Sequence, residues 1–308
     1  MTVLSAYVAT TQDFLNDPSA LFWTTTQIQN YVNRARVKVA NDAQCVRVLP
    51  PSTGSIATAV EGVGGSGYTS APTVTINAPD GPVGGVQAVI TANAPVGGAI
   101  TGYTIVTAGS GYVTPPTVTV SGGGGTGATC VVTLTTFIST LPGQETYAFS
   151  SFNSAVQVAN PAALEVIGIQ SISVAWGSLK PTLDYKSWTE FQANYRSYNY
   201  GNQNYPSLWS QYGRGQGATV YLWTIPSSYN AMDVDCYCTP IALVNDSTTD
   251  AIPDPFSEAV PYYAAALAYA NAQRKDDSEY YRQLYVKRLV DCGVYATPSF
   301  APSAYEWD

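Results

Sequence analysis

Asp233 and Asp235 stand two residues apart in the run MDVDCYCTP, and so do Cys236 and Cys238. On a strand, alternate residues share a face. The two carboxylates suit an acid–base pair or a cation site; with Tyr237 they equally suit a solvated sheet face. The two thiols suit half a metal site, but no second Cys or His pair follows nearby to complete it. The chain has no histidine. That removes the Ser-His-Asp triad, the Cys-His pair and the His-ligated zinc. Glu61, Glu145, Glu165 and Glu190 are scattered and lie in no recognisable motif. The GGGG run at 122–125 lacks the Lys and the following helix of a phosphate loop, and reads as a flexible loop. The chain is therefore not expected to be an enzyme, and no cofactor or metal is expected.

The second group with chemistry to offer is aromatic. Between Leu183 and Gly217 stand Tyr185, Trp188, Phe191, Tyr195, Tyr198, Tyr200, Tyr205, Trp209 and Tyr212, with Arg196 and Arg214 interleaved. Such a loop region can stack nucleic-acid bases, hold sugars or pack against another subunit. Lys and Arg total 13 against 21 Asp and Glu, a net charge of -8. A chain-wide basic footprint for nucleic acid is absent, which favours packing between subunits for Tyr185, Trp188, Tyr195, Tyr198, Tyr205 and Trp209.

These residues need elements to position them. The 308 residues suggest about two domains. Ser5–Leu15 has helical spacing, and Pro18 closes it. Thr24 and Gln27 have the spacing of a capping box, followed by Ile28, Tyr31, Val32, Ala35, Val39 and Ala43 at intervals of three and four. Arg34, Arg36 and Lys38 fall mostly on the other faces of that helix. They suit either a phosphate or acidic partner or plain solvation. Strands are expected at Tyr147–Phe149, Val166–Val174, Thr219–Ile225 and Met232–Thr239, the last two as antiparallel neighbours. After an acidic linker, Pro255 and Ser257-Glu258 mark a helix start. Ala259, Tyr262, Tyr263, Ala266, Leu267 and Ala270 then form an apolar stripe. Asp276 and Asp277 open a last helix that Gly293 is placed to end.

Composition changes after Pro50-Pro51. Residues 52–136 hold 18 of the 26 glycines and only two charges, Glu61 and Asp80. The segment repeats itself: GSGYTSAPTVTI at 65–76 matches GSGYVTPPTVTV at 109–120, with Ile56 and Ile100, Tyr68 and Tyr112, and Pro72 and Pro116 at the same offset. VQAVIT and ATCVVT correspond with a gap of two. Each unit reads as strand, Gly turn with Tyr, strand, turn, strand, and two stacked units would share one small core. The fold class is thus α+β: a small helical bundle from the N- and C-terminal helices plus an antiparallel β domain, with an inserted all-β repeat domain. The segments are residues 1–51 (helices), 52–138 (two repeat units at about 55–92 and 99–134), 139–293 (β region and helical hairpin) and 294–308, an extended arm. The arm carries Tyr295, Phe300, Tyr305 and Trp307 with two prolines. Such an arm has little conformational freedom to lose, and its aromatics suit the grooves of a partner. The start MTVLSAYVATTQDF lacks a basic n-region, and no run approaches the roughly 18 apolar residues of a membrane helix. With five cysteines, an odd number, reduced thiols and synthesis in a host cytoplasm are expected.

The order of features resembles the head-to-tail adaptor (connector) proteins of short-tailed bacteriophages. The residues that carry this are GSLKPTLDYKSWTEF, then PSLWSQYGRG with TVYLWTIPSSYNAMDVDCYCTP, and finally DPFSEAVPYYAAALAYANAQR. The resemblance covers about residues 1–50 and 140–292, and the GSGY repeat lies outside it. It implies a structural virion protein at the head–tail junction: a homo-oligomeric ring, usually of twelve copies. The ring docks under the portal protein and receives a tail or nozzle protein. Double-stranded DNA passes through its channel without sequence-specific binding, and no membrane is involved. Residues 294–308 would be the portal-binding arm. The alternative is a carbohydrate- or receptor-binding tail or surface protein using the repeat and the aromatic loops.

Overall fold

The computed structural model describes residues 2–82, 84–197 and 203–296. The helices are α1 (Leu4–Leu15), α2 (Thr25–Ala43), α3 (Asn153–Ala159), α4 (Trp188–Phe191), α5 (Asp254–Ser257), α6 (Val260–Asn271) and α7 (Lys275–Ala296). The first strands are β1 (Arg47–Val48), β2 (Ile56–Ser66), β3 (Thr73–Ile76), β4 (Val89–Ala92), β5 (Tyr103–Thr107), β6 (Val118–Ser121) and β7 (Thr126–Leu134). The others are β8 (Thr146–Ala148), β9 (Ala163–Val174), β10 (Asp184–Tyr185), β11 (Gln203–Asn204), β12 (Leu208–Tyr212), β13 (Thr219–Trp223), β14 (Ile225–Pro226) and β15 (Met232–Pro240). Helices and sheets are both well represented, so the class is α+β. The chain divides into two compact units: Met1–Val48 with Asn160–Glu165 and Tyr237–Asp308, and Leu49–Ala159 with Val166–Cys236.

The first unit is helical. The capping box at α2 is formed, with the Gln27 amide N–H on the Thr24 hydroxyl and the Gln27 side chain returning to the Thr24 N–H. Ile28, Val32, Ala35 and Val39 are buried as their spacing predicts. α6 differs from its expected single stripe. Val260, Ala264, Ala265, Ala266, Ala268 and Tyr269 are buried, whereas Ala270 is exposed. The helix packs against α1, α2 and α7 at once, and a helix covered on several sides has no single apolar face. Its alanines let the neighbours approach. α7 runs past Gly293 to Ala296, so that glycine does not end it. Arg36 also departs from expectation. It is fully buried, not on a solvated face, and pairs with Asp250.

The second unit begins with the repeat. Its strands do not stack as two self-contained units. β2 pairs with β7, β3 with β6 and β4 with β5, all antiparallel. Each pair joins a strand of one copy to a strand of the other. The outer strands are exchanged, and one core is shared by Ile56, Tyr68, Ile76, Ile90, Ile100 and Tyr112. Register fixes the true alignment. Ala92 faces Tyr103 while Val132 faces Ala59, so 92 corresponds to 132 and the gap is four, not two. Both values keep the same residues facing inward, because strand periodicity is two. The GGGG run is a tight turn against Tyr68, with the Gly123 carbonyl accepting from Thr69 N–H at 2.8 Å.

Tyr68 and Tyr112 do the same work twice. The Tyr112 hydroxyl accepts from the Ala88 N–H at 2.9 Å and donates to the Asn77 carbonyl. The Tyr68 hydroxyl accepts from the Ala128 N–H at 3.2 Å. Each reaches backbone of the other copy, Tyr68 within β7 and Tyr112 just before β4 and just after β3. Tyr68→Phe and Tyr112→Phe each leave a buried N–H unpaired, a loss of about 1–3 kcal/mol. Urea unfolding monitored by tyrosine fluorescence checks this, and the Tyr112 variant is expected to lose more because its hydroxyl makes two bonds.

The rest of the unit is the sheet ordered β10-β12-β13-β8. Leu208–Tyr212, expected within a loop region, is an inner strand of that sheet, with Leu208, Trp209 and Ser210 buried. β13 and β15 are not neighbours. β13 lies between β12 and β8, whereas β15 lies between β1 and β9. Val113 of the repeat packs with Phe137, Ala175 and Ala231. The Asp80 carboxylate accepts from the Val113 N–H and the Thr114 N–H and hydroxyl. Burial raises its pKa, but the Thr114 hydroxyl and the two amides outweigh this and hold it below the ordinary value.

Candidate functional site

Two surfaces gather the side chains with something to offer a partner. The first is an aromatic layer in the β unit. Ser187 caps α4 through the Glu190 N–H, and one π-helical turn carries the chain to Arg196. This lays Trp188, Phe191 and Tyr195 over strands β12 and β13. Trp188 lies 4.6 Å from Tyr221 and 4.9 Å from Tyr212, centroid to centroid. Tyr195 lies 5.3 Å from Trp223. Arg196 is not a free cation for base stacking. Its Nε donates to Glu145 Oε1 at 2.8 Å and its Nη2 to Oε2 at 3.3 Å. Its guanidinium sits 5.2 Å from the Tyr221 ring centroid. The fork lends Arg196 to a carboxylate that burial would otherwise leave alone.

The expected interface residues divide. Trp188 and Tyr195 join this layer, half-buried. Tyr185 is exposed and packs on Trp209 at 4.8 Å. Trp209 itself is buried in the sheet, so it belongs to the core and not to an interface. Tyr205 stacks on the exposed Trp176 at 4.8 Å, and its hydroxyl donates to the Val174 carbonyl. Burial pushes that phenol up to about 12. Tyr198 lies outside the described residues, as do Phe300, Tyr305 and Trp307; Tyr295 falls in the last turn of α7. Trp176, Tyr221 and Trp223 belong to the aromatic clusters but were not singled out in sequence. Alternation in ATVYLWTIP was the available signal for Tyr221 and Trp223.

The second surface lies in the helical unit, between α1 and α2. The Asp17 carboxylate accepts from the N–H groups of Leu21, Phe22 and Trp23 at 2.9, 2.9 and 3.0 Å. Trp23 turns inward onto Tyr269. Leu21 and Phe22 are left 89% and 70% exposed. Two large apolar side chains are thus held outward by a fixed loop. The amides, that of Trp23 first, hold the Asp17 pKa below the ordinary value. A depressed carboxylate contributes stability above its unfolded pKa of about 3.9 and loses it as pH falls through the folded value. Acid below that range is expected to loosen the loop and shift Trp23 fluorescence. Asp17→Asn is expected to remove this acid step.

The candidate chemical groups are otherwise engaged. Lys180 pairs with Asp233. Cys236 and Cys238 share the buried face of β15, where burial pushes Cys238 up to about 12. All five cysteines are unpaired thiols. Among the described residues no cluster of three or more His, Cys, Asp or Glu is placed to hold a metal, and no helix is long and apolar enough to cross a membrane.

The family model described as SU10 adaptor protein matches residues 126–292, more than half of the chain. The chain belongs to that family, and is a phage structural adaptor protein. No curated protein matches it.

Proposed function

We propose that this adaptor closes into a ring of twelve copies at the head–tail junction, between the portal protein and the tail, and does no catalysis. In this reading the terminal helices form one bundle and, with the antiparallel β domain, make the ring body. Residues 52–138 are an insertion into it, residues 294–308 grip the portal, and the aromatic layer around Tyr185, Trp188 and Tyr195 meets neighbours or tail. DNA passes without sequence-specific contact. A chain of net charge -8 repels a phosphate backbone rather than trapping it.

The observation that carries the ring is the pinned pair Leu21 and Phe22. Exposed apolar side chains on a rigid loop suit a permanent protein contact. Family membership supports the same direction. Leu21→Asp and Phe22→Asp are each expected to lower the assembled fraction about tenfold or more, with the melting temperature of the free protein unchanged. Mass by light scattering, alone and with portal rings, is the direct test. A monomer that forms rings on the portal supports the reading. A free trimer with no portal affinity overturns it and favours a receptor-binding tail protein. Removing residues 294–308 is expected to abolish or weaken co-sedimentation with portal, with the rest of the chain still folded.

A further inference from the structure

The helical unit carries an open apolar groove of about 540 Å³ between α2, α6 and the end of β15. Val37, Leu164, Ile241 and Leu267 line it, with Arg34 and Lys38 on its α2 side and no acidic residue in the lining. Val37 is 37% exposed. Arg34 has no acidic partner among the described residues. We propose that in the free protein this groove holds residues 297–308 of the same chain.

Three observations favour that occupant. The first is chemistry. The segment TPSFAPSAYEWD has three aromatics, Phe300, Tyr305 and Trp307, and two acids, Glu306 and Asp308, with no basic residue. An apolar floor with a basic edge is its complement. The second is where the described chain stops. Gly293, in the last turn of α7, lies in one cleft with Gln44 and Cys45, just past the end of α2. The groove begins at Asn41 of that helix and runs back to Asn33, roughly 12 Å at 1.5 Å per residue. The third is reach. Twelve extended residues span at most about 40 Å, so the segment can turn and cover the groove. Pro298 and Pro302 lower the entropy lost on docking. The cleft around Gly293 is lined by both Arg47 and Asp42, whereas the groove has basic residues and no acidic one. The Asp42 carboxylate already holds Lys38 and the Tyr285 hydroxyl.

Docking itself needs no portal. Its use rests on the arm's proposed grip: a stored arm is unavailable until a portal surface competes for it. Free copies would then not engage one another's partners early.

Carbodiimide cross-linking of the intact protein, mapped by mass spectrometry, tests the docking. The reagent joins a lysine to a carboxylate it touches. The Lys38–Asp42 ion pair, at 2.7 Å, should react in every sample and serves as the internal standard. The expected result is a link from Lys38 to Glu306 or Asp308, formed within one chain when isotopically light and heavy protein are mixed. Trp307→Ser and Val37→Asp should each lower its yield about tenfold. A Lys38–Asp42 link without any link to the segment overturns the proposal. Links only between light and heavy chains also overturn it, and assign the groove to a second copy. Neither outcome bears on portal co-sedimentation, so the two readings fail separately.

Discussion

Asp250→Ala is expected to destabilise the helical unit by about 3–5 kcal/mol, the cost of leaving a buried charge without its partner. Against a total stability of about 5–15 kcal/mol, that is enough to unfold part of the population at growth temperature. Asp250 Oδ1 accepts from Arg36 Nε at 3.1 Å and from the Ile252 N–H at 3.0 Å, and Oδ2 accepts from the Tyr7 hydroxyl at 2.6 Å. Arg36 spends its remaining fork on the Ile241 carbonyl at 2.7 Å and on Asn33 Oδ1 at 3.1 Å. Asn33 in turn accepts from the Leu243 N–H. One buried ion pair thereby ties α1, α2 and the linker after β15. Burial and the facing Asp250 carboxylate both raise the Tyr7 pKa, so its hydroxyl stays a donor. Arg36→Met with Asp250→Leu removes both charges together and is expected to recover most of the loss. Calorimetry of the three proteins checks the order. A single variant within about 0.5 kcal/mol of the parent would refute the account.

That network shows where sequence reading stops. Helical spacing placed Ile28, Val32 and Val39 inside correctly, because local periodicity is a property of the segment. It placed Arg36 outside, since its partner lies 214 residues away and charge carries no address. The same limit explains β12. LWSQY sits in an aromatic stretch poor in the β-branched residues that mark strands, and pairing makes it a strand: the β13 ladder from Leu208–Trp223 to Tyr212–Thr219 on one side and β10 on the other. β13 and β15 were each legible as strands from alternation, but alternation does not say which edge meets which. Trp209 looked like an interface residue because it stands among exposed aromatics; the pleat turns it inward. The adaptor family itself was legible, since its cues run in order from Gly177 to Arg274, inside the matched residues 126–292. The pinned Leu21 and Phe22 were not, because their exposure is set by three amides of a loop closing on Asp17.

Gly109→Ala is expected to unfold both halves of the repeat, and this separates exchanged strands from stacked units. Gly65 and Gly109 occupy the same place in the two copies, with φ of 65° and 68°. A Cβ at Gly65 would lie 2.4 Å from the Thr126 carbonyl oxygen, and at Gly109 2.5 Å from that of Val86. Both obstacles are backbone of the other copy: Thr126 opens β7, and Val86 bridges to Ser110 just before β4. Left-handed geometry alone costs an L-residue about 1–2 kcal/mol. With the clash, each substitution should cost on the order of 3–5 kcal/mol. In a stacked array damage stays in one unit and its neighbour's face. Here the β2–β7 and β4–β5 pairs stand on one core, so neither copy keeps a private set of contacts. Hydrogen exchange on Gly109→Ala should therefore show β2 and β7 losing protection together with β4 and β5. Protection lost from β4 and β5 alone would mean that the copies are independent and that the shared core is not cooperative.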